Sequence, residues 1–259
     1  MATQDGPDYP CIEDDSLLFV WDPKNRKCWS GGLDNSSLLT SNPLTGSMYN
    51  NFSNDELGTV LTTEGGLLFD GSNDYIDFGD QANWQFSSTG ISACAWFYWD
   101  GTSQATIISS KRKDAGHYNN MNLGIMNSTH SGGAAKKVGG LFISDGGDYI
   151  QTVTNLLYDM TSEPVGWHHV TVTADSTSDS KVYFDGVLKI TEALYSGADS
   201  GIKSWGVSGG PFCIGAQWLS SAIVPSWQSY LGPVYYYKRE LTASEVLTNY
   251  NRLKGRFGL

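Results

Sequence analysis

Gly166–Thr191, GWHHVTVTADSTSDSKVYFDGVLKIT, decides the fold. Val170, Val172 and Ala174 alternate with Thr171 and Thr173, the period of a strand with one buried face. Asp175–Ser180 is a run of Asp, Ser and Thr, whose short side chains compete for backbone hydrogen bonds and favour a loop. Val182 and Phe184 resume the alternation against Lys181 and Tyr183. Asp185 and Gly186 tolerate positive φ and supply a tight hairpin turn, after which Val187–Ile190 runs back. The stretch predicts an antiparallel meander with one core-facing side and no helical crossover.

The same period extends outward. Ile91–Trp99 carries apolar residues on both alternating sets, Ile91, Ala93, Ala95 and Phe97 against Cys94, Trp96 and Tyr98, which predicts a strand buried on both faces. Leu17–Trp21, Thr59–Thr62, Gly66–Phe69, Tyr75–Phe78 and Ala105–Ser109 read as further strands. So do Tyr149–Leu156, Phe212–Gly215 and Tyr230–Tyr237, joined by stretches rich in Gly, Ser and Asn, while His117–Asn127 and Val138–Ser144 bracket a Gly-, Ser- and Lys-containing loop. One helix is expected. Thr242 and Glu245 have capping-box spacing, and Val246, Tyr250 and Leu253 fall on one stripe. Arg252, Lys254 and Arg256 sit where cations favour a helix C-terminus.

The phrase GWHHVTVT…KVYFDGVLK resembles the central signature of laminin-G-like, concanavalin A-like lectin/glucanase domains. Leu67–Gly79, Ile91–Lys111 and Cys213–Asn251 are similar to other segments of that family, in the family's order. The resemblance implies an all-β fold: a jelly-roll sandwich of two antiparallel sheets with one short C-terminal helix. The expected organisation is an extended N-terminal arm over 1–16, ordered against a neighbouring subunit, then one sandwich over 17–251 with its helix from about 242, and a tail over 252–259. Ser16–Gly32, SLLFVWDPKNRKCWSGG, resembles the opening of lectin-like domains in tailed-phage structural proteins, and the terminal RLKGRFGL resembles the ends of such proteins. What this implies is a virion structural protein, assembled in the host cytoplasm, whose partners are other virion proteins and copies of itself.

Composition narrows the classes. Aromatics at 13% and charged residues at 17% of 259 residues suit many short strands and argue against disorder. A net charge of −11 disfavours nucleic acid, whose phosphates call for a basic surface, and would repel an anionic membrane. No apolar run is long enough for a membrane-spanning helix, and MATQDGPDYPCIEDDS lacks the basic and apolar regions of a secretion signal. Cys11, Cys28, Cys94 and Cys213 lack the paired close spacing of a zinc site, so buried thiols are expected, with a Cys11–Cys28 bridge left open by spacing alone.

The family includes glucanases, which place two carboxylates about 5–5.5 Å apart when they retain configuration. No two of Glu13, Glu56, Glu64, Glu163, Glu192, Glu240 and Glu245 lie within four positions, so no catalytic set is read. His168 and His169 are adjacent and face opposite sides of a strand, so they cannot share one ion. The resemblance implies calcium at the sandwich rim, where Asp70, Asn73 and Asp74 crowd one stretch; the competing reading is that they make the turn. Trp205, Trp218 and Trp227, with Gln217 and Gln228 beside two of them, have the chemistry to stack on and hydrogen-bond a host-surface polysaccharide; the competing reading is core or interface packing. A glycan-binding adhesin is therefore the second reading, and a polysaccharide-degrading enzyme the third.

Overall fold

The computed structural model describes residues 11–25, 37–39, 45–49, 62–78, 90–102, 105–110, 121–126, 136–142, 156–175, 179–193, 212–219 and 222–259. In chain order the strands are β1 (Leu17–Trp21), β2 (Ser37–Leu39), β3 (Thr45–Tyr49), β4 (Leu67–Leu68), β5 (Tyr75–Asp77) and β6 (Ile91–Trp99). Then come β7 (Ala105–Ser110), β8 (Met121–Met126), β9 (Lys137–Phe142), β10 (Leu157–Asp159), β11 (Gly166–Ala174) and β12 (Asp179–Phe184). The last are β13 (Val187–Ala193), β14 (Phe212–Ile214), β15 (Ala216–Leu219), β16 (Ala222–Pro225) and β17 (Tyr230–Tyr237). Helix α1 (Ala243–Leu253) continues into a 3-10 turn, Lys254–Phe257.

The strands form two antiparallel sheets. One has seven strands in the order β1-β17-β6-β11-β12-β13, with β4 also on β17; the other has eight, ordered β10-β9-β8-β7-β14-β5-β3-β2. β15 and β16 make a separate hairpin. This is the two-sheet sandwich that the alternation and the resemblance both imply.

Period two explains the layering. Along β11, Val170, Val172 and Ala174 point between the sheets, where they join Ala93, Ala95 and Phe97 of β6, Val182 and Phe184 of β12, and Ile108, Leu123 and Ile214 of the second sheet. The opposite set of β6 and β17, Cys94, Trp96, Tyr235 and Tyr237, is equally buried, beneath a cover of Leu241, Val246, Leu253 and Phe257. Each such large apolar side chain contributes about 1.5–3 kcal/mol when fully buried. β6 therefore needs apolar residues on both faces, as its sequence has.

The helix is set by its cap. Thr242 Oγ1 accepts from the Glu245 amide and Glu245 Oε2 accepts from the Thr242 amide, which satisfies two amides of the first turn reciprocally. Three boundaries differ from the sequence reading. The expected tail is part of the body, because Phe257 is buried against Trp96, ring centroids 4.5 Å apart. Cys11–Ser16, the described part of the expected arm, lies on the chain's own helix: Asn249 Oδ1 accepts from the Ile12 amide at 2.8 Å, and Arg239 grips Asp14 at 2.6 Å. A short strand lies at Leu157–Asp159, after the expected Tyr149–Leu156, whose first seven residues are outside the described ones. Thr62 is loop, and residues 59–61 are likewise outside. Cys11, Cys94 and Cys213 are buried thiols, and Cys28 lies outside the described residues.

Candidate functional site

At one rim of the sandwich the Asp70–Asp74 stretch makes a turn between β4 and β5. Asp70 Oδ1 accepts from the amides of Ser72 (2.7 Å) and Asn73 (3.1 Å), and Asp74 Oδ2 accepts from the Asp70 amide (2.9 Å). Burial is the largest single effect and raises the Asp70 pKa, but the hydrogen bonds together outweigh it and hold the carboxyl below the usual carboxylate range. Gly71 has φ +76, and a Cβ there would stand 2.8 Å from Gln228 Cβ. The turn thus lies directly on Gln228, so two of the candidate groups, far apart in sequence, share one place.

Of the other candidates, Trp227 belongs to the core. Trp227 is fully buried, with its ring perpendicular to Phe97 at 6.0 Å, so core packing is its role and neither face is open to a sugar. Trp218 and Gln217 lie on β15, opposite Ile223 and Val224. Trp205 is outside the described residues. The hairpin carrying Trp218 turns off β14 at Gly215, φ +80, whose carbonyl accepts from the amides of Ser226 and Trp227. Of the calcium candidates, Asp70 Oδ1 and Asp74 Oδ2 accept from backbone amides of the turn, and among the described residues no three His, Cys, Asp or Glu side chains converge.

The adjacent histidines do different work on the two faces of β11. His168 is buried toward the core, with Nδ1 2.8 Å from Asp185 Oδ2 and Nε2 2.9 Å from the Pro164 carbonyl. Burial would lower its pKa, but the Asp185 and Pro164 hydrogen bonds outweigh that and hold it above the ordinary value. His169 faces the helix, 2.8 Å from the Tyr235 hydroxyl, and burial pushes its pKa down to about 3. Neither ring is presented to solvent for proton transfer.

Four of the described glutamates are engaged as well. Glu163 accepts from the Tyr158 hydroxyl at 2.5 Å, Glu240 from Lys181 at 2.7 Å, and Glu245 from Arg239 and its own cap. Glu64 accepts from Thr63.

Sequence reasoning missed a row of rings on the outer face of the seven-stranded sheet. Trp167 of β11 stands opposite Tyr98 of β6, and Tyr230 opens β17 beside it. Their centroids are 5.8 Å (Trp167–Tyr98), 6.1 Å (Tyr98–Tyr230) and 6.5 Å (Trp167–Tyr230) apart. All three are half-buried. The signal available was parity: Tyr98 shares a face with Trp96, and Trp167 with His169.

Residues 70–247 match the model of the concanavalin A-like lectin/glucanases superfamily, and the chain belongs to that family. No curated protein matches the sequence. Among solved structures, the receptor binding domain of botulinum neurotoxin C/D mosaic serotype is similar at 14% identity and TM-score 0.59, over 92% of this chain and 51% of that one. Domain 4 of AbnA, a GH43 extracellular arabinanase from Geobacillus stearothermophilus in complex with arabinotriose, is similar at 19% identity and TM-score 0.53, over 92% and 99%. Trypanosoma rangeli sialidase is similar at 14% identity and TM-score 0.55, over 92% of this chain and 33% of that enzyme. At these identities the likeness is one of fold. The chain spans about half the length of the toxin binding domain, 51%.

Proposed function

We propose that the chain is a non-catalytic, lectin-like recognition module displayed on the virion of a tailed phage, where it meets host-surface polysaccharide. The observation that supports the non-catalytic half is the engagement of Glu163, Glu240 and Glu245 in structural bonds. The recognition half is supported by family membership and by similarity to binding domains, one of them captured with arabinotriose. The virion setting is supported by the Asp-Pro-x-Asn opening within Ser16–Gly32 and by the RLKGRFGL end. Its partners there are other virion proteins and copies of itself. The reading requires no metal, and the Asp70–Asp74 turn supports this in that Asp70 Oδ1 and Asp74 Oδ2 accept from its own amides.

The test has three readouts: retardation of the protein in gels containing soluble polysaccharides, reducing-end release from the same polysaccharides, and mass spectrometry of purified particles. Retardation without release, with the chain present in particles, is expected. Released reducing ends would overturn the non-catalytic half, and absence from particles would overturn the virion setting.

A further inference from the structure

The outer face of the seven-stranded sheet is covered along most of its length. On β6, β11 and β17 the successive outward residues Cys94, Trp96, His169, Thr171, Tyr235 and Tyr237 are all buried. The cover ends at Phe257. Its ring lies 4.5 Å from Trp96 on one side and 4.5 Å from Trp167 on the other, and it closes on Gly232 below. One step farther along the same three strands the outward residues are Trp167, Tyr98 and Tyr230, and there the cover stops. Phe97 and Leu231, their neighbours in sequence, point into the inter-sheet core, which fixes the direction of the row.

The row is built rather than incidental. Tyr98 stands edge-on to both partners, at 85° to Trp167 and 80° to Tyr230. The loop Thr62–Gly66 closes over the far edge of the indole, where a Cβ on Gly66 would come within 2.4 Å of Trp167 Cη2 and Cζ2. Neither the Tyr98 nor the Tyr230 hydroxyl bonds to another described residue, so two phenols stand beside aromatic faces at the rim.

The size and charge of the patch identify the occupant. A whole aromatic side chain buries about 150–250 Å², so three half-covered rings offer far less than the roughly 800 Å² per partner of a stable protein interface. A small ring with an apolar face and polar edges fits such a patch, and a sugar has both: a C–H face to pack on an aromatic ring and hydroxyls to meet the phenols. A neutral sugar suits the charge: the chain carries −11, and Arg256, beside Phe257, is held by both Asp22 oxygens at 2.8 Å.

We propose that Trp167, Tyr98 and Tyr230 form a stacking surface for a neutral sugar unit of a polysaccharide. This rests on the glycan-recognition reading above, and it assigns that reading to the outer sheet face rather than to the Trp218 hairpin. The test is affinity electrophoresis of the full chain against soluble arabinan, xylan, mannan and β-glucan, with Tyr98→Ala, Tyr230→Ala and the conservative Tyr230→Phe. Each alanine variant is expected to weaken binding about two- to tenfold, while Tyr230→Phe keeps most of it. In case an alanine variant misfolds, nitration of the wild-type tyrosines by tetranitromethane, mapped by mass spectrometry, gives a second measurement: bound polysaccharide should protect Tyr98 and Tyr230. Binding that neither alanine variant weakens, or that leaves both tyrosines unprotected, overturns this surface and leaves the glycan reading standing. No binding to any of the four overturns both.

Discussion

His168 and Asp185 are joined 2.8 Å apart, and the second nitrogen of the same imidazole lies 2.9 Å from the Pro164 carbonyl. A carboxylate and a carbonyl can only accept, so both ring nitrogens donate and the ring is an imidazolium. The Asp185 side chain also accepts from the His169 amide at 2.8 Å, so one hairpin residue, held at φ +49, ties the turn to the middle of β11. The pKa of His168 is raised above its ordinary value of about 6.5. A raised folded-state pKa means that the stabilisation is fully present below about pH 6.5 and is lost as pH rises through the folded value. Denaturant unfolding should therefore show stability falling as pH rises above about 6.5. Asp185→Asn, which tolerates the same backbone, should remove that slope and cost about 1.5–3 kcal/mol at acidic-to-neutral pH. An unchanged slope in the variant would refute the imidazolium assignment.

Gly215 is the corner from which the β15–β16 hairpin leaves the second sheet. Its φ is +80, and a Cβ would meet the Phe69 ring at 2.6 Å. Left-handed backbone costs an L-residue about 1–2 kcal/mol, and overpacking costs about 1–3 more. Gly215→Ala should lower the unfolding free energy by roughly 2–4 kcal/mol. Thermal and urea unfolding would measure it; a change under about 0.5 kcal/mol, ordinary for surface substitutions, would contradict the corner's geometry.

Arg239 bridges Asp14 and Glu245, at 2.6 and 2.7 Å, and so fastens Cys11–Ser16 beside the start of α1. The Arg239 hydrogen bond, with the cap amide, holds Glu245 at about 2. A depressed carboxylate contributes stability above its ordinary value, and that contribution disappears as pH falls toward about 2. These groups are partly exposed, so Arg239→Gln should cost no more than about 1 kcal/mol overall. Its larger effect should be local, as faster amide exchange over residues 12–16 in hydrogen-exchange mass spectrometry. Unchanged exchange there would show that Asn249, which accepts from the Ile12 amide, and Arg252, which donates to the Cys11 carbonyl, suffice.

The Asp70–Asp74 turn predicts an absence of metal response. A ligand that binds the folded state raises its stability in proportion to RT ln(1 + [L]/Kd). Millimolar calcium or a chelator should move the unfolding midpoint by less than about 1 °C. A rise of several degrees with calcium would mean that the Asp70 and Asp74 oxygens exchange their amides for the ion.

Much of the fold was legible because it is written in local period. Strand β6 matches the sequence reading at both ends, and the β11–β12–β13 meander follows from alternation and the Asp185-Gly186 turn. The capping box gave the helix start. What was hidden depends on contacts between distant residues. Trp227 sits among polar neighbours in sequence, yet Phe97 turns it into core. Asp14 looks like a solvated arm until Arg239 and the helix are placed beside it. Gln228 and the Asp70 turn each looked like a candidate alone, and only the β4–β17 pairing, Tyr230 opposite Leu68, brings them together. The aromatic row was hidden for another reason: parity shows which face Trp167 and Tyr98 share, but not where the 3-10 turn stops covering it.

Strand β1 pairs antiparallel with β17, Leu17 opposite Tyr237, so the incoming and outgoing segments leave the sheet at the same end. A pull applied through both segments therefore loads this ladder as a zipper, one rung at a time, after the Arg239 clamp gives way. The tension does not run along β12 or the second sheet, and it meets β11 sideways, through Phe257 packed on Trp167. Held by its two ends, the body would yield by peeling at that edge under modest force, while the rest of the sandwich kept its shape.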